Sequence, residues 1–155
     1  MRLENQDFRI VKPNRGDAEA VIDLVVGLAR FEHLRPPDSK AKTRLAKDIF
    51  DRRLVNVLVA KRGKQLVGYA LYFYTYSSFL AKPTLYLEDI FVSSQIRGVG
   101  VGEALFNSCL REARGHNCGR MEWQVLDWNR SAMRFYKKLG AEQAGGLVLY
   151  RHDLK

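Results

Sequence analysis

Apolar residues in FRIVKP (Phe8 to Pro13) alternate with polar ones and stop at a proline, the pattern of a short strand. Asp17 then stands where a helix N-cap is expected. Behind it Val21, Ile22, Val25, Leu28 and Ala29 recur at helical spacing up to about Phe31. The loop EHLRPPD carries two prolines, which cannot continue a helix. A second helix, rich in Lys and Arg, is predicted from Ser39 to about Phe50, and its polar face is most simply a solvated one.

Beyond that helix the composition turns to β-formers. VNVLVAKR and QLVGYALYFYTYS are two β-rich runs joined through RGKQ, a hairpin with Gly63 at its turn. PTLYLEDIFVSS is a third such run. A helix is predicted from about Gly98 to Arg114, with Val101, Ala104, Leu105, Cys109 and Ala113 on one face. RMEWQVLD reads as another strand, and Asn129 as the N-cap of a last helix. That helix carries Ala132, Phe135, Tyr136 and Leu139 on one face and ends at Gly140. AEQAGGLVLYRHDL is expected to close as a hairpin turning at Gly145 and Gly146. The order is β α α β β β α β α β β. Antiparallel runs flank one β-α-β crossover, which predicts an α+β class with a mixed sheet.

With 155 residues the chain suffices for one compact domain with a core and is short for two, so a single domain over residues 1–155 is expected. No apolar run approaches a membrane span. The opening MRLENQDFRIV is charged and lacks the apolar stretch of a secretory signal, so a cytoplasmic location is expected. Cys109 and Cys118 match no metal or redox spacing; the first reads as a small core residue and the second as a loop thiol. No metal is expected. The net charge of +9 raises nucleic acid as a partner. The positive residues are scattered, however, with local clusters only over Lys40 to Arg53 and Arg130 to Lys138, and no nucleic-acid-binding motif accompanies them. A basic surface serves a polyanionic cofactor equally well.

SSQIRGVGVGEAL places Gly98, Gly100 and Gly102 at alternate positions ahead of an amphipathic helix. A phosphate-binding P-loop would end in Gly-Lys-Ser/Thr, which is missing. A dinucleotide site would space its glycines G-x-G-x-x-G in an early βαβ unit. A tight helix–strand turn remains an alternative for the tract alone. The pattern Gln95-x-x-Gly98-x-Gly100 resembles the acyl-CoA loop of the GNAT acetyltransferase superfamily. LYLEDIFVSSQIRGVGVGEAL followed by QVLDWNRSAMRFYKKLGA is similar to its spermidine/spermine branch, and most like the thialysine acetyltransferase subgroup. LARFE and YALYFYTYS extend the similarity over most of the chain.

The resemblance implies a sheet splayed after the strand that precedes the glycine loop, four helices, acetyl-CoA as acetyl donor, and a homodimer. It implies that Gln95, Ile96, Arg97 and Gly98 open a loop whose backbone N–H groups, through Val99, Gly100, Val101 and Gly102, converge on the pyrophosphate. Arg97 can add a full charge there. Backbone amides around Ile90, Phe91 and Val92 would contact the thioester oxygen. Tyr136, of the FYKKLGA motif, would protonate the departing thiolate, although a core tyrosine explains its position as well. Asn129 would touch the pantetheine region, though capping alone accounts for an asparagine there.

The glutamate of YLED, Glu88, would accept the amine proton, with a structural salt bridge as its alternative. Glu88 and Asp89 should face opposite sides of their strand unless a bulge intervenes. The polyamine enzymes read TYDPW where this chain reads TYSSFL, with Ser77 in place of the acid. Losing that carboxylate disfavours long polycations and favours a small diamino or lysine-like compound, with Glu32 as a further cation contact and Ser77, Glu88 and Asp89 beside the acceptor. The reaction expected is therefore acetyl transfer from acetyl-CoA to a small primary amine by direct attack. A protein or peptide acetyltransferase and a non-catalytic acyl-CoA-binding module are the competing functions.

Overall fold

In the computed structural model, which describes residues 7–154, five strands form one sheet in the order β1-β2-β3-β4-β5. The strands are β1 (Arg9–Val11), β2 (Asn56–Arg62), β3 (Gln65–Ser77), β4 (Lys82–Val92) and β5 (Arg120–Glu122). The first four pair antiparallel, and β5 runs parallel to β4. Four helices accompany them: α1 (Ala18–Phe31), α2 (Ser39–Phe50), α3 (Val101–Gly115) and α4 (Arg130–Lys138). The predicted mixed, mostly antiparallel α+β sheet with four helices is what the chain forms.

The chain divides into two compact units at Gln124/Val125. In the first, alternation along the strands sends side chains to two cores. Val57, Val59, Tyr69 and Leu71 pack on one face with Val21 and Leu24 of α1 and Ile49 of α2. The opposite face carries Gly68, Ala70 and Tyr72. A Cβ at Gly68 would sit 2.8 Å from the Phe91 carbonyl oxygen and 3.3 Å from Leu105 of α3, so this glycine is needed for close approach. Cys109 is fully buried on α3, as expected, and Cys118 is half-buried; both are free thiols.

Several predicted boundaries move. Asp17 is the N-cap of α1 as predicted, but its side chain is turned back. A 3-10 turn, Arg15–Asp17, precedes α1, capped by Asn14, whose side chain accepts from the Gly16 N–H at 2.8 Å while the Asp17 carboxylate accepts from the Asn14 N–H at 3.0 Å. Asp17 also pairs with Lys61 at 3.2 Å. α3 begins at Val101 and not at Gly98, because Gly98 and Gly100 hold φ of +83° and +88°, outside the helical region. RMEWQVLD pairs only over its first three residues.

In the second unit, Asn129 caps α4 as predicted, its side chain accepting from the Ala132 N–H at 3.1 Å, and Gly140 follows at φ +85°. The expected C-terminal hairpin does not form: residues 141–154 contain no strand. Its apolar run is 82%, 79%, 64% and 90% exposed at Leu147, Val148, Leu149 and Tyr150. Without a buried face a lone pair of strands gains too little to persist.

Candidate active site

Two features of the first unit converge on the end of β4. One is an open strand edge. β5 pairs with β4 at Thr84, Leu85 and Tyr86 and goes no further, while β4 continues to Val92. Residues 87–92 therefore have β3 on one side and, among the described residues, no strand on the other. This opening is the expected splay. It leaves every second backbone amide of the stretch unused by the sheet, and the stretch includes Ile90, Phe91 and Val92.

β4 then runs into the glycine loop. A short 3-10 turn, Ser94–Ile96, contains Gln95 and buries Ile96. Gly98 and Gly100 follow in left-handed conformations that disfavour any Cβ, and Gly100 directly precedes Val101, the first residue of α3. Gly100 has no side chain to cap the helix, so the first N–H groups of α3 stay available to an outside acceptor. A helix start without a side-chain cap, reached through two glycines and flanked by exposed Val99, fits a pyrophosphate of the acyl donor. Gly102 lies inside α3 at ordinary helical geometry. Arg97 is already engaged: its Nε donates to the Val92 carbonyl at 3.0 Å, and its guanidinium lies 4.6 Å from the Phe31 ring centre and 5.6 Å from that of Phe91.

The other feature is a set of carboxylates. A β-bulge interrupts the β3–β4 ladder, where Leu71 faces Asp89 and Tyr72 faces Leu87, so Glu88 is the residue left without a partner. The exception anticipated for the Glu88–Asp89 pair thus holds. Glu88 is exposed. Asp89, opposite Leu71, joins the α1 side of the sheet, where the fully buried Tyr69 donates its hydroxyl to the Asp89 carboxylate at 2.9 Å. Burial pushes the Asp89 carboxyl up to about 6; the Tyr69 bond opposes the rise, and Glu88 and Glu32 add to it. Burial is also what raises the Glu32 carboxyl at the C-terminal end of α1. The Tyr69 phenol is held protonated chiefly by burial, then by Asp89, Glu32 and Glu88. Three carboxylates from two elements thus act on one buried hydroxyl.

Ser77 is not brought to this group. It closes the β3–β4 turn, its Oγ accepting from the Leu80 N–H at 3.2 Å. It pairs with Lys82, seven residues before Asp89 on β4, which is a distance of roughly 20 Å along a strand. The structural salt bridge that was the alternative for Glu88 is absent from the ion pairs of the described residues. Tyr69 is the member of the site that sequence reasoning missed. In the sequence it is one aromatic among several in YALYFYTY, and only the fold sets it beside Asp89. Within the second unit, Tyr136 is half-buried on α4 with its ring 5.2 Å from that of Phe135. Among the described residues, no group of His, Cys, Asp or Glu is placed to hold a metal ion.

A family model of the acetyltransferase (GNAT) family matches residues 21–141. The chain belongs to the GNAT acetyltransferase family. It is 32% identical over 156 residues to the thialysine N-epsilon-acetyltransferase of Bos taurus, covering 93% of this chain and 91% of that protein. It is 42% identical over 77 residues to an L-ornithine N5-acetyltransferase of Arabidopsis thaliana, half of this chain and 34% of the relative. A solved possible acetyltransferase of Clostridium difficile 630 superposes with a TM-score of 0.84 at 19% identity, covering 96% of this chain and 98% of that one, which bears on the fold alone. Membership makes the protein an acetyl-CoA-dependent N-acetyltransferase.

Proposed function

We propose that the protein acetylates a primary amine of a small diamino or lysine-like compound, by direct attack of the amine on the acetyl group of acetyl-CoA. The observation that carries this reading is the hydrogen bond from the buried Tyr69 hydroxyl to the Asp89 carboxylate, with the negative charges of Glu32 and Glu88 near enough to raise both groups further. An acceptor with two ammonium groups enters such a place with charge compensation for one while the other loses its proton. The names of the relatives, a thialysine and an L-ornithine acetyltransferase, support the same acceptor class. The absence of an acid at Ser77, and its distance from the carboxylates, argue against a long polyamine.

In this reading Asp89 takes the amine proton. Desolvation has already raised its affinity for a proton toward neutrality, and the Tyr69 hydroxyl fixes the oxygen that does not receive it. That moves to Asp89 the role the resemblance gives to Glu88, which becomes the exposed contact for the incoming cation. As the new C–N bond forms, the C–S bond breaks and the electron pair goes to sulfur, where the Tyr136 hydroxyl supplies the proton. Backbone amides of Ile90, Phe91 and Val92 stabilise the charge on the carbonyl oxygen. Glu32 holds the second ammonium, and Asn129 both caps α4 and contacts the donor's pantetheine arm. The roles of Tyr136 and Asn129 rest on the motif around them. The reading further takes residues 1–155 as one GNAT domain, acting in the cytoplasm as a homodimer with no metal.

Release of free thiol from acetyl-CoA, followed over a panel of small amines, diamines and lysine peptides, tests the proposal. Diamino compounds of lysine length should react fastest. Turnover confined to peptides would transfer the assignment to protein acetylation.

A further inference from the structure

Arg97 does more in this structure than carry charge into the glycine loop. Its guanidinium lies over the Phe31 ring at 4.6 Å and the Phe91 ring at 5.6 Å, and its Nε is bound to the Val92 carbonyl at 3.0 Å. The two rings are themselves 6.4 Å apart, centre to centre. One residue of the donor loop thus joins the end of β4 to the last residue of α1. Phe91 is tight against α1 as well: a Cβ on Gly27 would sit 3.0 Å from that ring. The C-terminal half of α1 therefore rests on Phe91, and Arg97 closes over the contact. The residue after Phe31 is Glu32, which ends α1 with its N–H bonded to the Leu28 carbonyl at 2.9 Å.

We infer that the Arg97–Phe31–Phe91 stack couples the two substrate sites, with Arg97 acting as a positioning residue that sets Glu32 when the donor loop is ordered. This goes beyond the family assignment, and its acceptor half rests on the role proposed for Glu32. The physical reason is geometric. A guanidinium packed against two rings, with its Nε bonded to a carbonyl, turns any ordering of the loop into a constraint on the ring that ends α1. A lysine keeps the charge near a phosphate but has neither the plane nor the fork.

The decisive measurement is hydrogen exchange of the full chain with and without saturating coenzyme A. It reports the coupling whether or not a diamine is the acceptor. In the parent protein, coenzyme A should slow exchange of backbone amides at residues 28–34 by about 3- to 10-fold, the range a cation–π contact of this kind supplies. In Arg97→Lys and in Phe31→Leu that protection should be lost at coenzyme A concentrations that still saturate the loop. Phe31→Tyr, which keeps a ring, should retain it. Phe31 lies outside the loop, so its variant separates coupling from phosphate binding. In steady-state assays the same two variants should raise the amine KM several-fold at saturating acetyl-CoA with a smaller change in kcat. The double variant should be little worse than either single one. Equal protection in the parent protein and in Phe31→Leu, or none in the parent protein, would overturn the coupling. A parent protein that protects α1 but acetylates no diamine would leave the coupling standing and defeat the acceptor assignment instead.

Discussion

In Asp89→Asn the amide keeps an oxygen for the Tyr69 hydroxyl and loses only the charge. Folding lifts the Asp89 carboxyl from an ordinary 3.8 to about 6, with burial as the largest cause. A carboxyl whose affinity for protons rises on folding stabilises the fold most when it is protonated. That contribution is fully present below the unfolded value near 3.8 and is lost as pH rises through about 6. At about 1.36 kcal/mol per pH unit, holding the ionised form in the folded chain at pH 8 costs up to about 3 kcal/mol. The asparagine variant escapes that cost, so it should be the more stable protein at pH 8. For a chain of this length the gain corresponds to at most about 6–12 °C in melting temperature. The advantage should shrink toward pH 4, where the parent carboxyl is itself neutral in the fold. Acetyl transfer should move the other way, falling about 100- to 10,000-fold if Asp89 accepts the amine proton. Melting curves from pH 4 to 8, paired with initial rates, measure both. A variant that melts lower at pH 8, or by an amount independent of pH, would refute the reasoning.

The parent enzyme's kcat/KM for the amine should fall on the acid side as Asp89 gains its proton near pH 6, and Asp89→Asn should erase that limb. Glu88→Gln should keep the limb and raise the acceptor KM by only about 2- to 5-fold, as an exposed charge does; loss of the limb in this variant would return the base role to Glu88. Gly100→Val should weaken coenzyme A binding by calorimetry, since φ of +88° is strained for a branched side chain, and unchanged affinity would remove the loop from the donor site. Tyr136→Phe should lower turnover about 100- to 10,000-fold with donor affinity nearly intact, and full activity would leave that tyrosine as packing.

What the sequence made legible follows the range of the interactions involved. Strand and helix periods are local, and β2, β3, β4, α1, α2 and α4 all lie where spacing put them. The Asn129 cap and the Gly63 turn depend on two to four neighbouring residues and were equally plain. Asp17 was legible as the N-cap position of α1, whereas the 3-10 turn before it, capped by Asn14, carries no apolar period to announce it. Helix α3 was started early because alternating glycines do not break the apolar period that follows them. Only their positive φ shows that the chain is still turning at Gly100. The C-terminal hairpin had β-prone residues and a glycine turn, yet a strand needs a face to bury, and no stretch of sequence states that it lacks one.

The carboxylate site shows where local reading ends. YLED was legible as a motif with a task, but a period of two sends neighbouring side chains to opposite faces, and one unpaired residue removes that certainty for both. The bulge at Glu88 is a property of the register between β3 and β4, set by residues up to 20 positions away in the chain. Once it is present, Asp89 faces Leu71 and comes within reach of the Tyr69 hydroxyl, and the acid that looked secondary becomes the desolvated one. Arg97 repeats the lesson from the other direction. Its charge suited a pyrophosphate, and the fold also sets its guanidinium against Phe31 and Phe91. A guanidinium has donors enough for both tasks, since only its Nε bonds the Val92 carbonyl. The two roles are therefore compatible, and the same residue can read the donor and hold the helix that ends at Glu32.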